Sequence, residues 1–547
     1  MPNIIVIGSS TKSAAYTIKQ LSMYGLNVTV YAWLDSPLRH SKYVNKYILA
    51  QSPDRDVKAF ADGLLKYLEL NKIDCLLAIN DQALEICKLY YDQLSNYTKI
   101  IGINHSFTDE YAHSKYELIK VAAPLGIKSP DTILISQLSD VEGRRNEFTF
   151  PCIVKPASTN ILKDNHLFYF RVSRVNSYEQ LVDYVREHVS NVNILVQKII
   201  PGYGIGYNII AKDGEVLNEY IHRRLHEYIG ESTYRESVSV EEYGLKEKAH
   251  ALIKKINWNG VAMLEFRIDG NDAYIMEING RFWGSIEVSV RCGLNYPVQL
   301  YEMQYLNKEI ERGLPVKHVR VRNLKEEIIN NIRYVVQQKS LKNLFKWFGT
   351  LKGVFASNEF IEDNVFDDPK FVLACYYYSI KLVWSRVVDE LGLKSVSIAK
   401  HQAPVAEKNL VIAFACTGNI CRSPFAEYYA RKFNPQHSYF SFGISTVDNR
   451  LSPVNAVNAA AQMGVDISNF SSRSFDKQQV EGADYIFVMD RLNFYNLRQK
   501  GIDEKKIFFL DEIEIADPYG KPVEEFSKAY QQIIKCIEQK LPVHQAN

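Results

Sequence analysis

Leu410 to Ala415 is an unbroken apolar run that ends directly on Cys416-Thr417-Gly418-Asn419-Ile420-Cys421-Arg422-Ser423, after which Pro424 opens a helical pattern through Ala426, Tyr429 and Phe433. A short continuous apolar run of this kind reads as a buried strand, and a proline in the first turn of a periodic segment marks a helix N-terminus. The chain is thereby committed to a strand, a tight turn and a helix, with a cysteine and an arginine at the bend. Successive backbone N–H groups in such a turn, the helix N-terminus and the planar Arg422 fork can together surround a tetrahedral oxyanion. The same field favours thiolate over thiol at Cys416, and only the thiolate is nucleophilic. One loop can therefore both bind a phosphate and activate the attacking sulfur.

The rest of the chain must fold around more than one core, because 547 residues exceed the roughly 100–200 residues of a single domain. Asn3 to Gly8, the helical pattern Ala14, Ile18, Leu21 and Val28 to Tyr31 make a strand-helix-strand unit, and Cys75 to Ile79 and Ile100 to Ile103 continue the alternation. The first turn, Gly8-Ser9-Ser10-Thr11-Lys12, lacks the spaced glycines of a dinucleotide fingerprint. From Pro130 to about 305, β-type runs separated by turns such as Lys212-Asp213-Gly214 predict hairpins. Residues 310–393 are helical in character, and the polar stretch Lys394 to Asn409 reads as a linker. The eight cysteines show no zinc-like spacing and no disulfide framework, which is cytoplasmic usage. Nothing at Met1 to Ser10 resembles a signal peptide, and no run approaches a membrane span.

The C-terminal strand-Cys-Arg-Ser arrangement resembles the low-molecular-weight protein tyrosine phosphatases over residues 409 to about 540. That resemblance implies a four-stranded parallel α/β domain in which Cys416 is the nucleophile that becomes phosphocysteine, Arg422 the transition-state clamp, Ser423 a hydrogen-bond donor to the thiolate and Asn419 a loop-stiffening residue. Asp517-Pro518-Tyr519 matches the family's acid motif, with Asp517 as general acid and then base and Tyr519 lining the substrate pocket. Ser441-Phe442-Gly443, Ser472-Arg473-Ser474 and Met489 to Asn493 are further matches. Cys421 is either a partner for a protective disulfide with Cys416 or a small core residue. Arsenate reductases of this fold relay a disulfide through additional cysteines. Only Cys536 follows here, which disfavours that alternative.

Residues 111 to about 310 resemble an ATP-grasp domain, preceded over 1–110 by the α/β domain that usually accompanies it. Lys115 heads a helix, Ile153-Val154-Lys155-Pro156 delivers a second lysine, and Gln197-Lys198-Ile199-Ile200-Pro201-Gly202 resembles the hinge that meets adenine. Glu265, Glu277 and Asn279, the last two on one face of a strand, match the family's magnesium segment. The resemblance implies ATP and Mg²⁺, or Mn²⁺ in its place. Arg281 would reach a phosphate, and Arg223 or Arg224 a substrate carboxylate. The implied reaction activates a small-molecule carboxylate to an acyl phosphate that an amine captures. The loop Ala157 to Ile161 lacks the glycines of the family's usual lid, which leaves open an ATP-binding regulatory module controlling the phosphatase.

The expected whole is an α/β and α+β multidomain chain: a pre-ATP-grasp domain (1–110), an ATP-grasp domain (111–310), a helical connector and linker (311–408) and a phosphatase domain (409–547). Lys+Arg 65 against Asp+Glu 63 gives +2, so whole-chain charge implies no polyanionic partner, and no base-reading module points to nucleic acid. Between Arg312 and Lys352, ten basic residues face only Glu326 and Glu327. An amphipathic helix over 339–352 can lie on an anionic membrane surface or pack between domains with a solvated basic side. A phosphotyrosine protein is the expected macromolecular substrate.

Overall fold

The apolar runs near the N-terminus stack side by side as parallel strands. A computed structural model describes all residues except 9–10, 54–55, 104–110, 112–113, 159, 164–165, 170–171, 229–230, 339–356, 363–365, 391–408, 447 and 542–547. It divides into two units: residues 1–133, 156–171 and 197–381 form one, and residues 134–155, 172–196 and 382–547 the other. The parts 134–155 and 172–196, expected to belong with the rest of 111–310, therefore cluster with the C-terminal third of the chain. The stretch 339–352, expected to form an amphipathic helix, lies outside the described residues. Among the described residues no helix is long and apolar enough to cross a membrane.

In the first unit, strands Lys46–Leu49, Asn27–Ala32, Asn3–Ile7, Cys75–Ala78 and Lys99–Ile101 lie in that order, all parallel. Both faces are covered, as parallel sheets require. Ile4 and Val6 pack with Ala14, Ile18 and Leu21 of the helix Thr11–Met23, while Ile5 and Ile7 meet Phe60 and Leu64 of the helix Val57–Leu70. Single-residue alternation along Asn3–Ile7 thus feeds two cores.

The larger sheet has seven strands in the order Asp272–Asn279, Gly260–Asp269, Tyr203–Lys212, Glu215–Tyr228, Glu231–Val238, Arg320–Arg322 and Glu359–Ile361. Its central hairpin turns through Asp213 (φ 50°) and Gly214 (φ 78°), two consecutive left-handed positions of the kind that Asp-Gly favours. The last two strands lie in a region expected to be helical. Arg320-Val321-Arg322 and Glu359-Phe360-Ile361 are too short to carry a legible period, and only pairing with Tyr234–Glu236 and with each other makes them strands.

Two more sheets have most of their residues in the second unit. One holds Ser173–Val175, Cys152–Pro156, Ile194–Lys198 and Thr132–Ile135, with Leu181 and Val185 of the helix Tyr178–His188 buried. The other is parallel throughout, in the order Ser438–Gly443, Val411–Cys416, Tyr485–Val488, Ile507–Phe509. Helices Arg422–Phe433, Val454–Gln462 and Val523–Lys540 cover one face and helix Arg491–Gln499 the other. The strand carrying Cys416 is central, so its C-terminal end opens into a crevice edge where loops converge.

One buried acid makes the first unit pH-sensitive. Glu287, 1% exposed, contacts Arg291 at 3.0 Å, yet burial, followed by the nearby Glu362 charge, pushes its carboxyl up to about 8. The folded state then holds a proton that the unfolded chain releases near its ordinary value. Stability therefore falls as pH rises from about 4.5 to about 8. Glu287→Gln should flatten that slope and raise the melting temperature at pH 8.5 while changing little at pH 5. Thermal melts across this range check it.

Candidate active sites

Cys416 ends its strand and is 2% exposed. Ile444 N–H donates to the Cys416 carbonyl (3.0 Å) and Ser445 N–H to the Thr417 carbonyl (3.0 Å), so the turn is pinned to the loop after the neighbouring strand. Asn419, fully buried at φ 50°, organises the interior. Its backbone N–H points to Cys416 Sγ (3.2 Å), and its Nδ2 donates to Ser423 Oγ (2.9 Å) and Ser441 Oγ (2.8 Å). Its Oδ1 accepts from Arg473 N–H (2.8 Å). Because Ser423 Oγ already accepts from Asn419, its own proton is available to Cys416 Sγ, 3.0 Å away. Ser441 passes its proton on to Glu427 (2.6 Å), whose carboxylate also meets Arg431 and Arg473.

Arg422 is the first residue of the following helix and 1% exposed. Its Nη1 donates to Asp490 (2.8 Å) and the Ile515 carbonyl (2.8 Å), and its Nη2 lies 3.0 Å from Asp517 Oδ2. Burial works against the guanidinium charge, but Cys416, Asp517 and Asp490 outweigh it and push Arg422 upward. The loop thus brings together Cys416, Asn419, Arg422, Ser423 and Asp517, residues 101 positions apart in sequence at the extremes. Burial, then Asp517 and Cys416, push the Cys421 thiol well up, and no described cysteine is in a disulfide.

Asp490 and Glu427 had no expected role. Asp490 sits inside the Met489–Asn493 match, where its capping of the helix Arg491–Gln499 through Asn493 N–H (2.7 Å) leaves its other oxygen for Arg422. Glu427 follows Ser423 by one helical turn, which places both on one face. That spacing was the available signal.

The second cluster lies in the first unit. Glu265 and Glu277 stand directly opposite each other across the Gly260–Asp269 and Asp272–Asn279 strands. Gly206 is opposite Glu265 on the other side, and a Cβ there would come within 2.3 Å of the buried His222 ring. Only glycine fits that close approach. Lys115 Nζ lies 3.4 Å from Glu277, Arg224 Nη2 2.8 Å from Glu265, and Asn279 Nδ2 donates to Glu277 (3.3 Å). Burial raises the Glu265 carboxyl, Arg224 opposes that, and the Glu277 charge raises it further. Two carboxylates and an amide are an oxygen set of the kind that suits Mg²⁺ when phosphate oxygens complete the shell, although among the described residues no three His, Cys, Asp or Glu converge on a metal position.

Other expected ligands are engaged elsewhere. Arg281 makes a two-pronged contact with Asp81 (2.7 and 2.8 Å), at the start of the helix Asp81–Leu89, instead of pointing freely toward a phosphate. Arg223 projects from the opposite side of its strand to Arg224 and pairs with Glu236 and Glu242. Gln197 is buried with Nε2 on Thr132 (2.8 Å), Lys198 is exposed, and Ile200 is buried. Lys155 is buried on the strand Cys152–Pro156 in the second unit.

Comparison with known proteins gives two family-model matches. One, described as low molecular weight phosphotyrosine protein phosphatase, covers residues 411–545, and one described as ATP-grasp in the biosynthetic pathway with Ter operon covers 190–327. The probable low molecular weight protein-tyrosine-phosphatase EpsP of Ralstonia nicotianae is 33% identical over 135 residues, 24% of this chain and 93% of that protein. The low molecular weight protein-tyrosine-phosphatase Wzb of Escherichia coli is 27% identical over 22% of this chain and 84% of that protein. A crystal structure of L-amino acid ligase from Bacillus licheniformis is similar at 18% identity and a TM-score of 0.46, covering 58% of this chain and 79% of that one.

The Asn419 network carries its own expectation. Asn419→Ala removes the side-chain bonds to Ser423, Ser441 and Arg473 and puts alanine at a left-handed position. It should destabilise the C-terminal fold by about 3 kcal/mol, read by denaturant unfolding.

Proposed function

Because the chain belongs, through residues 411–545, to the low molecular weight phosphotyrosine protein phosphatase family, and joins that domain to a region matching an ATP-grasp family model over 190–327, we propose that it is a bifunctional enzyme with a cysteine-dependent phosphatase half. The carrying observation is the convergence of Cys416 Sγ, Ser423 Oγ, Arg422 and Asp517 at one loop. In the reading we favour, Cys416 thiolate attacks the phosphorus of a phosphomonoester such as phosphotyrosine. The S–P bond forms as the P–O bond to the leaving group breaks, and Asp517 gives its proton to the departing oxygen. Asp517, now a carboxylate, takes a proton from water, whose oxygen attacks phosphorus, breaking the S–P bond and releasing inorganic phosphate. Arg422 neutralises the equatorial oxygens throughout, and the donors on Sγ stabilise the sulfur as it leaves.

Cys416→Ser should abolish hydrolysis of aryl phosphates while leaving ATP binding intact. Asp517→Asn should slow phenyl phosphate far more than para-nitrophenyl phosphate, whose leaving group needs little protonation. Steady-state kinetics on the two esters check both, and equal slowing would remove Asp517 from the acid role.

For the other half we propose ATP-dependent ligation of a small carboxylate to an amine through an acyl phosphate. Glu265, Glu277 and Asn279 would hold Mg²⁺, which when bound supplies charge neutralisation of the nucleotide phosphates. Lys115, beside Glu277, and the 197–200 hinge would bind nucleotide. Glu277→Gln should remove the Mg²⁺-dependent gain in ATP affinity, measured by calorimetry with and without the metal; an unchanged gain overturns the metal assignment. A second reading, in which nucleotide binding regulates the phosphatase, is favoured by one observation: Lys155 and the helix Tyr178–His188 share a compact unit with residues 382–547.

A further inference from the structure

The helix Tyr178–His188 bears a buried carboxylate, Glu187 (6% exposed), that contacts residues on two separate loops of the phosphatase domain. Its Oε2 accepts from the Tyr519 hydroxyl at 2.6 Å, and its Oε1 pairs with Arg450. On the same helix, Asp183 Oδ1 accepts from Val454 N–H (2.8 Å), at the first residue of the helix Val454–Gln462. His188 Nε2 is the third group near Glu187 (3.4 Å), and burial lowers its basicity.

The sheet order fixes what this contact spans. The strand carrying Cys416 has Ser438–Gly443 on one side and Tyr485–Val488 followed by Ile507–Phe509 on the other, all parallel. Arg450 follows the first neighbour, and Asp517 and Tyr519 follow the last strand, so the two loops leave the same edge on opposite sides of the Cys416 turn. Arg450 reaches that turn directly. Its Nη1 donates to Thr446 (3.0 Å) and lies 3.8 Å from where a Cβ on Gly418 would sit. Tyr519 is two residues past Asp517, to whose carboxylate its own N–H donates (3.3 Å). Glu187 therefore bridges the two sides of the nucleophile's loop.

The chemical consequence is specific. Arg450, the cation beside Gly418, is matched by an internal carboxylate and is withdrawn from acidic groups on an incoming substrate. Burial, then the Glu187 charge, push the Tyr519 hydroxyl up, so it remains a donor. Tyr519 is nevertheless 49% exposed, which leaves its ring surface open to a compact aromatic ester. A phosphotyrosine flanked by acidic residues finds no free cation at this rim, because Glu187 already offsets Arg450.

We propose that Glu187 is a specificity-determining residue of the phosphatase, restricting the mouth of the Cys416 site to compact phosphomonoesters and disfavouring phosphotyrosine embedded in an acidic peptide. The inference rests on the phosphatase reading above.

The test uses the full chain with para-nitrophenyl phosphate and a phosphotyrosyl peptide flanked by Asp and Glu. Glu187→Gln, which keeps the side chain's shape, should raise kcat/KM for the peptide by about tenfold through KM, with less than about a twofold change for para-nitrophenyl phosphate. Asp183→Ala, which releases the helix from Val454, should shift selectivity in the same direction. A parallel change on both substrates, or an unchanged ratio in both variants, overturns the proposal while leaving the phosphatase reading intact. A lowered kcat on both substrates would mark Glu187 as merely structural and overturn it too. A wild-type chain and a Glu187→Gln chain that both hydrolyse neither ester would sink the phosphatase reading itself, and this inference with it.

Discussion

The C-terminal site depends on a single buried amide. Asn419 spends both of its Nδ2 protons, its Oδ1 and its backbone N–H on Ser423, Ser441, Arg473 and Cys416. A buried polar group costs free energy unless satisfied, and a fully satisfied network rigidifies what it joins. Asn419 makes these bonds from a left-handed backbone position, with its own N–H turned toward the sulfur. The Ser423 proton direction follows from the same network, since its acceptor side is already occupied.

Both candidate sites hold their charges in internally matched sets. Arg422 sits among Asp490, Asp517 and the Ile515 carbonyl, and the acidic pair Glu265 and Glu277 is matched by Arg224 and Lys115. Uncompensated buried charge is expensive, so such matching keeps the fold intact while the groups remain available.

Much of the C-terminal site was legible because its elements are local. The apolar run 410–415, the Cys-to-Arg turn and Pro424 lie within fifteen residues, and each has a fixed local meaning. The acid at 517 was placed through a motif, not through spacing. Asp490 and Glu427 carried no role in that reading because a lone carboxylate in a helix cap or helix face has many uses, and only the position of Arg422 or Arg473 selects one. The central cluster was legible as a set of residue types, whereas Arg281 and Gln197 point to Asp81 and Thr132, partners that no sequence spacing relates to them. The short strands 320–322 and 359–361 were missed because three residues contain less than two periods of alternation.

Local periodicity and turn chemistry determined that this chain alternates strands and helices at both ends, turns through Asp213-Gly214, and carries a nucleophile loop at 416–423, since those features depend on neighbours within a few residues. The folded chain decided which distant groups meet: Asp517 with Arg422, Glu265 with Glu277 and Arg224, and Glu187 with Arg450 and Tyr519. Such encounters follow from strand order and register, which are set by the burial of whole faces and not by any one segment.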